Sequence, residues 1–160
     1  MTRTTSAEAR SQAVQRISPA LAVALVCTIA GGLVAAVTAH APTRSASWAS
    51  AYLVLVGGVA TLGLAMGRGI LSPDRVPGGR LTGELATWLA GNALVVIGTL
   101  AELTWLVDVG GALLVAALAL VALGVRGGRG PGWLQGLFAA LVAVLLVSIP
   151  VGLFLARLRG

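Results

Sequence analysis

Few side chains in this chain could do chemistry. It has five acids (Glu8, Asp74, Glu84, Glu102 and Asp108), one histidine (His40), one cysteine (Cys27) and eleven arginines, with no lysine. A lone cysteine excludes an intrachain disulfide, and no Cys-x-x-Cys pair or Cys/His cluster is present to hold a metal. Neither is a nucleophile–base pair, a glycine-rich phosphate loop or a metalloprotease motif. No catalytic residue, metal site or cofactor is therefore expected. Unlike groups gather in one place only. His40 and Arg44 are close in sequence, Trp48 and Tyr52 stand one helical turn apart, and Glu102, Trp105 and Asp108 crowd one short stretch. Histidine changes charge near neutral pH. His40 with Glu102 or Asp108, beside Trp48 and Tyr52, is thus a candidate pH-sensing or transition-metal cluster. One histidine and two acids make a thin set, since zinc sites use three or four strong ligands. A single chain also cannot offer two histidines to a haem. The alternative reading is a ring of boundary residues that satisfy one another and water.

The elements that must position these groups follow from composition. Apolar residues make up 58 % of the 160-residue chain and charged residues 10 %. A soluble domain carries about 25 % charge. Too little charge remains to cover a water-facing surface, which excludes an ordinary soluble fold and also disorder. The expected class is all-α, a polytopic transmembrane bundle. Its net charge of +6 reads as topology signals and anionic-lipid contacts, not as a nucleic-acid surface. Arginine without lysine, amid Ala, Gly, Val and Leu, suggests a high-GC bacterium.

Five apolar runs are long enough to cross. They cover residues 17–39, 47–67, 83–103, 109–125 and 133–156. Residues 1–16 form a polar tail, 157–160 a short end, and 17–156 a single membrane domain. The first run exceeds the short apolar core of a secretory signal, and Pro42 follows the small-x-small sequence at Ala39–Ala41, so a retained span is expected. Proline and glycine make 68–82 a loop. Residues 83–125 are too long for one crossing: a single helix would extend about 65 Å, twice the bilayer core. A turn at 104–108 is expected, with Asp108 capping the next helix. Pro150 is expected to kink the last span.

Threading five spans places eight arginines (3, 10, 16, 68, 75, 80, 126 and 129) on the side of the tail and three (44, 157 and 159) on the other. Cationic loops stay cytoplasmic, so the N-terminus is expected inside and the C-terminus outside a bacterial plasma membrane. Glu84 and Glu102 then lie at opposite ends of the third span, about 27 Å apart, and both reach the headgroups. No acid stands at mid-depth, as the small multidrug exporters require. The deepest strongly polar side chain is Asn92, a candidate for packing between helices or for contact with a substrate.

Small residues recur at helical spacing: Gly63-xxx-Gly67, Gly83-xxx-Thr87-xxx-Gly91 with Gly98 beyond, and Gly132-xxx-Gly136-xxx-Ala140. Such stripes pack helices in lipid, within one chain or between copies. The runs Trp48-Ala-Ser-Ala-Tyr52-Leu-Val-Leu-Val-Gly57-Gly58, Gly91-Asn92-Ala-Leu-Val-Val-Ile-Gly98-Thr99 and Asp108-Val-Gly110-Gly111-Ala-Leu-Leu-Val give the chain its look. It resembles small integral membrane proteins of actinobacteria, a resemblance that brings no activity and no site residues. The expected role is a non-enzymatic accessory or structural subunit whose partners are the bilayer and a second copy or another membrane protein. One alternative is a small permease subunit lined by Thr61, Asn92, Thr99 and Ser148. Another is a haem- or redox-linked protein using His40.

Overall fold

A computed structural model describes residues 6–71, 78–126 and 130–157 of the chain. Every described element is helical. Helix α1 (Ser6–Thr38) leads through a short connection into α2 (Arg44–Tyr52). The chain then winds through a π-helical stretch (Leu53–Ala60) and on into α3 (Thr61–Leu71). These three segments stack end to end as one rod, Arg44–Leu71. Helix α4 (Gly78–Leu100), α5 (Thr104–Val125) and α6 (Gly132–Arg157) complete the bundle. Five helices are long and apolar enough to cross a membrane: Ser18–Thr38, Arg44–Leu71, Thr82–Leu100, Thr104–Val125 and Gly132–Gly152. All five expected runs are therefore helices. Residues 6–16 of the expected tail extend α1 backwards, and 1–5 lie outside the described residues.

The boundaries differ from expectation where backbone chemistry overrides hydropathy. The rod starts at Arg44 because Thr43 caps it, its Oγ1 accepting the Ala46 N–H at 3.1 Å. It ends at Leu71, so Arg68 belongs to a helix and not to the expected 68–82 loop. Gly78, Gly79 and Arg80, also assigned to that loop, open α4. Pro73 and Pro77 lie outside the described residues.

The turn between α4 and α5 comes earlier than 104–108. Helix α4 closes on Glu102, which adopts a left-handed conformation with φ 58°. The Leu103 N–H then reaches back to the Gly98 carbonyl at 2.8 Å, the wrapped C-terminal hydrogen bond that follows a left-handed residue. Helix α5 begins at once, with Leu103 at its N-cap and no side-chain cap bond. Asp108 therefore falls in the second turn and does not cap the helix. The shift also lengthens the fourth apolar helix to 22 residues, long enough for a core of about 30 Å.

The buried core lies where the rod, α4, α5 and α6 meet: Ala60, Leu64 and Leu71, Trp88, Leu114, Ala117, Leu118 and Val121, Phe138 and Val142. Helix α1 clasps the other side of the rod through glycines. A methyl group at Gly31 would stand 2.7 Å from Val54, and one at Gly57 would stand 2.8 Å from the Cys27 Cβ. The Ser50 hydroxyl adds a bond to the Gly31 carbonyl at 2.9 Å. Gly63 and Gly67 receive Leu141 and Phe138 of α6, and Gly91 packs against Gly110 and Leu114 of α5. These stripes serve packing within the chain. Gly83, Gly132 and Gly136 have nothing within 4 Å of an added methyl. The exterior is apolar, with Val26, Leu33, Val37, Leu55, Val144 and Phe154 all more than half exposed.

Candidate functional site

The polar side chains of the interior concentrate on one seam, between the rod and α4. Three of them, Glu84, Trp88 and Asn92, are spaced i, i+4, i+8 on α4 and so form one ridge along it. Each step of four residues advances about 40° around a helix of 3.6 residues per turn. The ridge therefore winds, and it meets the antiparallel rod at three points.

At the first point the Tyr52 hydroxyl donates to Asn92 Oδ1 at 2.8 Å. The Asn92 amide in turn donates to the Trp88 carbonyl at 2.8 Å, one turn back along α4. That bond fixes which way the carboxamide faces. At the second point the Trp88 indole N–H donates to Thr61 Oγ1 at 2.9 Å. The Thr61 hydroxyl passes its own proton to the Val56 carbonyl at 3.1 Å. Val56 lies five residues back, the register of a π-helix. Thr61 thus fastens the last π turn and receives α4 with the same oxygen. Trp88, Thr61 and Asn92 are all buried.

The third point is an ion pair. Arg68 Nη2 donates to Glu84 Oε1 at 2.8 Å, and each residue is only 5 % exposed. Arg68, expected in a loop, is helical, and Glu84 stands near the start of α4, the end of the span where it is expected. The two approach each other between the helices, where the opposite charge offsets much of the desolvation that either would suffer alone. Gly124 of α5 makes the room: a methyl group there would overlap the guanidinium. Arg68 Nε and Nη1 are buried and have no hydrogen-bond partner.

Between the rod, α1 and α4 lies a cleft of about 440 Å³. Cys27, Tyr52, Gly57, Thr61, Trp88 and Asn92 border it, with Leu53, Leu89, Val96 and Ile97 as aliphatic walls. Its size suits a small ligand. Its lining is nearly all carbon, because the polar atoms of Tyr52, Asn92, Trp88 and Thr61 turn toward one another.

The outer cluster expected from sequence is brought together only in part. The Trp48 and Tyr52 rings lie 5.1 Å apart at a 30° tilt. Tyr52 turns inward to Asn92, which joins an expected rim residue to the expected deep one. His40 is exposed in the connection after α1, Glu102 is exposed at the α4–α5 turn, and Asp108 is half-buried on α5. Among the described residues no group of three or more His, Cys, Asp or Glu is placed to hold a metal ion. Of the four residues expected along a transport path, Thr61 and Asn92 border the cleft. Thr99 and Ser148 are exposed elsewhere, the Ser148 hydroxyl bonding the Leu145 carbonyl at 2.9 Å. Sequence reading missed Arg68, Glu84 and Gly124 as a set. The signal available was the i, i+4, i+8 spacing of Glu84, Trp88 and Asn92.

No family model matches this chain, and no curated protein or solved structure is similar to it.

Proposed function

We propose that this chain is a non-enzymatic multi-pass protein of the bacterial plasma membrane, an accessory or structural subunit that acts through helix–helix contacts. One observation carries the reading. Ser50, Tyr52, Thr61, Trp88 and Asn92 each take part in a hydrogen bond to another helix. Where lipid replaces water, such bonds and close small-residue packing are what hold helices together. The outward stripe Gly132, Gly136 and Ala140 on α6 supplies the contact face. Among the described residues nothing lies within 4 Å of a methyl added at either glycine, and Ala140 is exposed. A helix of a second copy, or of a partner membrane protein, fits against it.

The arginine distribution supports an N-terminus inside and a C-terminus outside. Arg68 is neutralised by Glu84, and the remaining split is seven arginines against three. In a Cys27→Ala background, a cysteine in place of Gly136 tests the contact. Oxidation in the native membrane is expected to give a disulfide-linked dimer or a captured partner. A monodisperse monomer that captures nothing removes the basis of the reading.

A second reading, a small transporter subunit, is favoured by the cleft beside Asn92. Cys27 borders that cleft and is the single thiol of the chain. A membrane-impermeant maleimide applied to intact cells therefore separates the two readings. Labelling that is lost in Cys27→Ala shows a wet cleft and favours transport. Protection of Cys27 leaves the accessory role.

A further inference from the structure

We infer that the Arg68 guanidinium is the centre of a phosphate-binding site at the arginine-rich end of the bundle. Arg68 is 5 % exposed, and its Nη2 donates to Glu84. Nε and Nη1 carry three further N–H groups, and neither nitrogen meets an acceptor. Buried donors on a charged group are rarely left unmet, and each such group in a folded protein calls for an unseen water, ion or ligand. An acceptor from outside the chain answers that demand.

The surroundings select its charge and shape. Arg126, exposed just beyond α5, follows Gly124 by two residues. Arg68 and Arg126 carry two positive charges and Glu84 one negative charge, so an anion is drawn there in preference to a neutral molecule. The unmet donors flank the bond to Glu84 on both sides. A phosphate presents oxygens in several directions and suits donors that diverge in this way, and arginine is well matched to it. Gly124 lets the guanidinium lie directly against the α5 backbone.

The depth is also right for a lipid. Arg68 lies three residues before the end of α3 and Gly124 one residue before the end of α5. Both are therefore about one turn or less from the helix ends, the level of phospholipid headgroups if the bundle spans a bilayer. The phosphate can come from a lipid headgroup or from free phosphate, and the test separates these sources.

The full chain is purified in a non-ionic detergent and titrated with dioleoyl phosphatidylglycerol, with inorganic phosphate and with dioleoylglycerol. Binding is read by native mass spectrometry. Labelling with ¹⁵N-arginine gives a second readout, because the buried Arg68 Nε–H is protected from solvent exchange, whereas Arg44 and Arg126 are exposed. Phosphatidylglycerol is expected to bind one to one and to shift that signal. In Arg68→Lys, which keeps the charge but loses the diverging donors, binding is expected to weaken about tenfold, as the loss of one charge-assisted hydrogen bond implies. Binding of inorganic phosphate with the same shift assigns the site to a free anion. If neither phosphate compound moves the protected signal, or dioleoylglycerol binds as well as phosphatidylglycerol, the inference is overturned and water meets the donors. The signal is read on the unsubstituted protein, so a variant that fails to fold does not decide the matter.

Discussion

Helix α4 packs in two ways on two neighbouring faces. Toward α5 it presents glycine. A methyl at Gly110 would stand 2.8 Å from both the Gly91 carbonyl and the Val95 nitrogen, and one at Gly98 would stand 2.8 Å from the Val107 nitrogen. The two backbones touch. Toward the rod the same helix presents Glu84, Trp88 and Asn92, and here long polar side chains bridge the helices. The cleft of about 440 Å³ lies on this second face. Glycine brings backbones together and excludes space. Polar bridges fix orientation while holding the helices apart. A bundle that needs both a rigid frame and a cavity can build each on a different side of one helix.

The ion pair is the sharpest place to break the polar seam. Arg68→Ala leaves the Glu84 carboxylate buried without its cation, and Glu84→Ala does the reverse. Each is expected to destabilise the chain by about 3–5 kcal/mol, measured as the shift in denaturant-induced unfolding in detergent. The double replacement Arg68→Met, Glu84→Leu is expected to recover most of that loss, because apolar residues of similar volume often replace a buried pair at little cost. A double variant as weak as the singles would show that the charges contribute far more than their mutual attraction.

The glycine seam breaks by a different mechanism. Gly110→Ala sets a methyl against backbone atoms that cannot rotate away. The helices must separate, at an expected cost of about 1–3 kcal/mol. Gly83→Ala is the matched control. It lies on the same helix as Gly91 but has nothing within 4 Å. It is expected to stabilise by up to about 1 kcal/mol through helix propensity alone. Opposite signs for the two substitutions in one melting assay identify the seam. Equal signs would mean that α4 and α5 do not hold this register.

The turn that sets that register is smaller in effect. Glu102 occupies a left-handed position at φ 58°, where a Cβ is unfavourable and glycine is the usual residue. Glu102→Gly is expected to raise stability by about 1 kcal/mol, seen as a higher melting temperature in detergent. A drop would mean that the Glu102 carboxylate itself holds the turn.

The five helices were legible in the sequence because hydropathy and length decide them, and both are local. The packing glycines were legible as a pattern, but not their partners: Gly63 and Gly67 meet α6, while Gly136 meets nothing. The ion pair was hidden for a physical reason. Taken singly, Arg68 and Glu84 each mark a span boundary, because one charge in lipid is costly. Taken together they cancel, and only tertiary structure brings residues 16 apart in sequence to 2.8 Å. The π-helical stretch was hidden too. Gly57 and Gly58 announce close approach to α1, but nothing local gives the wider winding that Thr61 fastens. The Asp108 cap failed because the helix opened five residues earlier than expected, once Glu102 had closed α4.

The smallest effect tests what the polar bridges are for. Tyr52→Phe removes one hydroxyl and leaves Asn92 Oδ1 without its donor from the rod. Hydrogen bonds between membrane helices contribute about 0.6 kcal/mol on average when measured by double-mutant cycles. The coupling between Tyr52→Phe and Asn92→Ala is expected to be of that order. It is far below the figure for the ion pair, although both bridges are 2.8 Å long. The difference follows from charge: a neutral group deprived of its hydrogen-bond partner between membrane helices finds another, whereas a buried charge left unpaired is strongly destabilising. If the Tyr52–Asn92 bridge contributes so little energy, its role is to aim the carboxamide and keep the cleft in shape. Tyr52→Phe should then change the reactivity of Cys27 toward thiol reagents more than it changes the melting temperature. A large loss of stability with unchanged Cys27 reactivity would make the bridge a fastener, and the two faces of α4 would differ in chemistry but not in purpose.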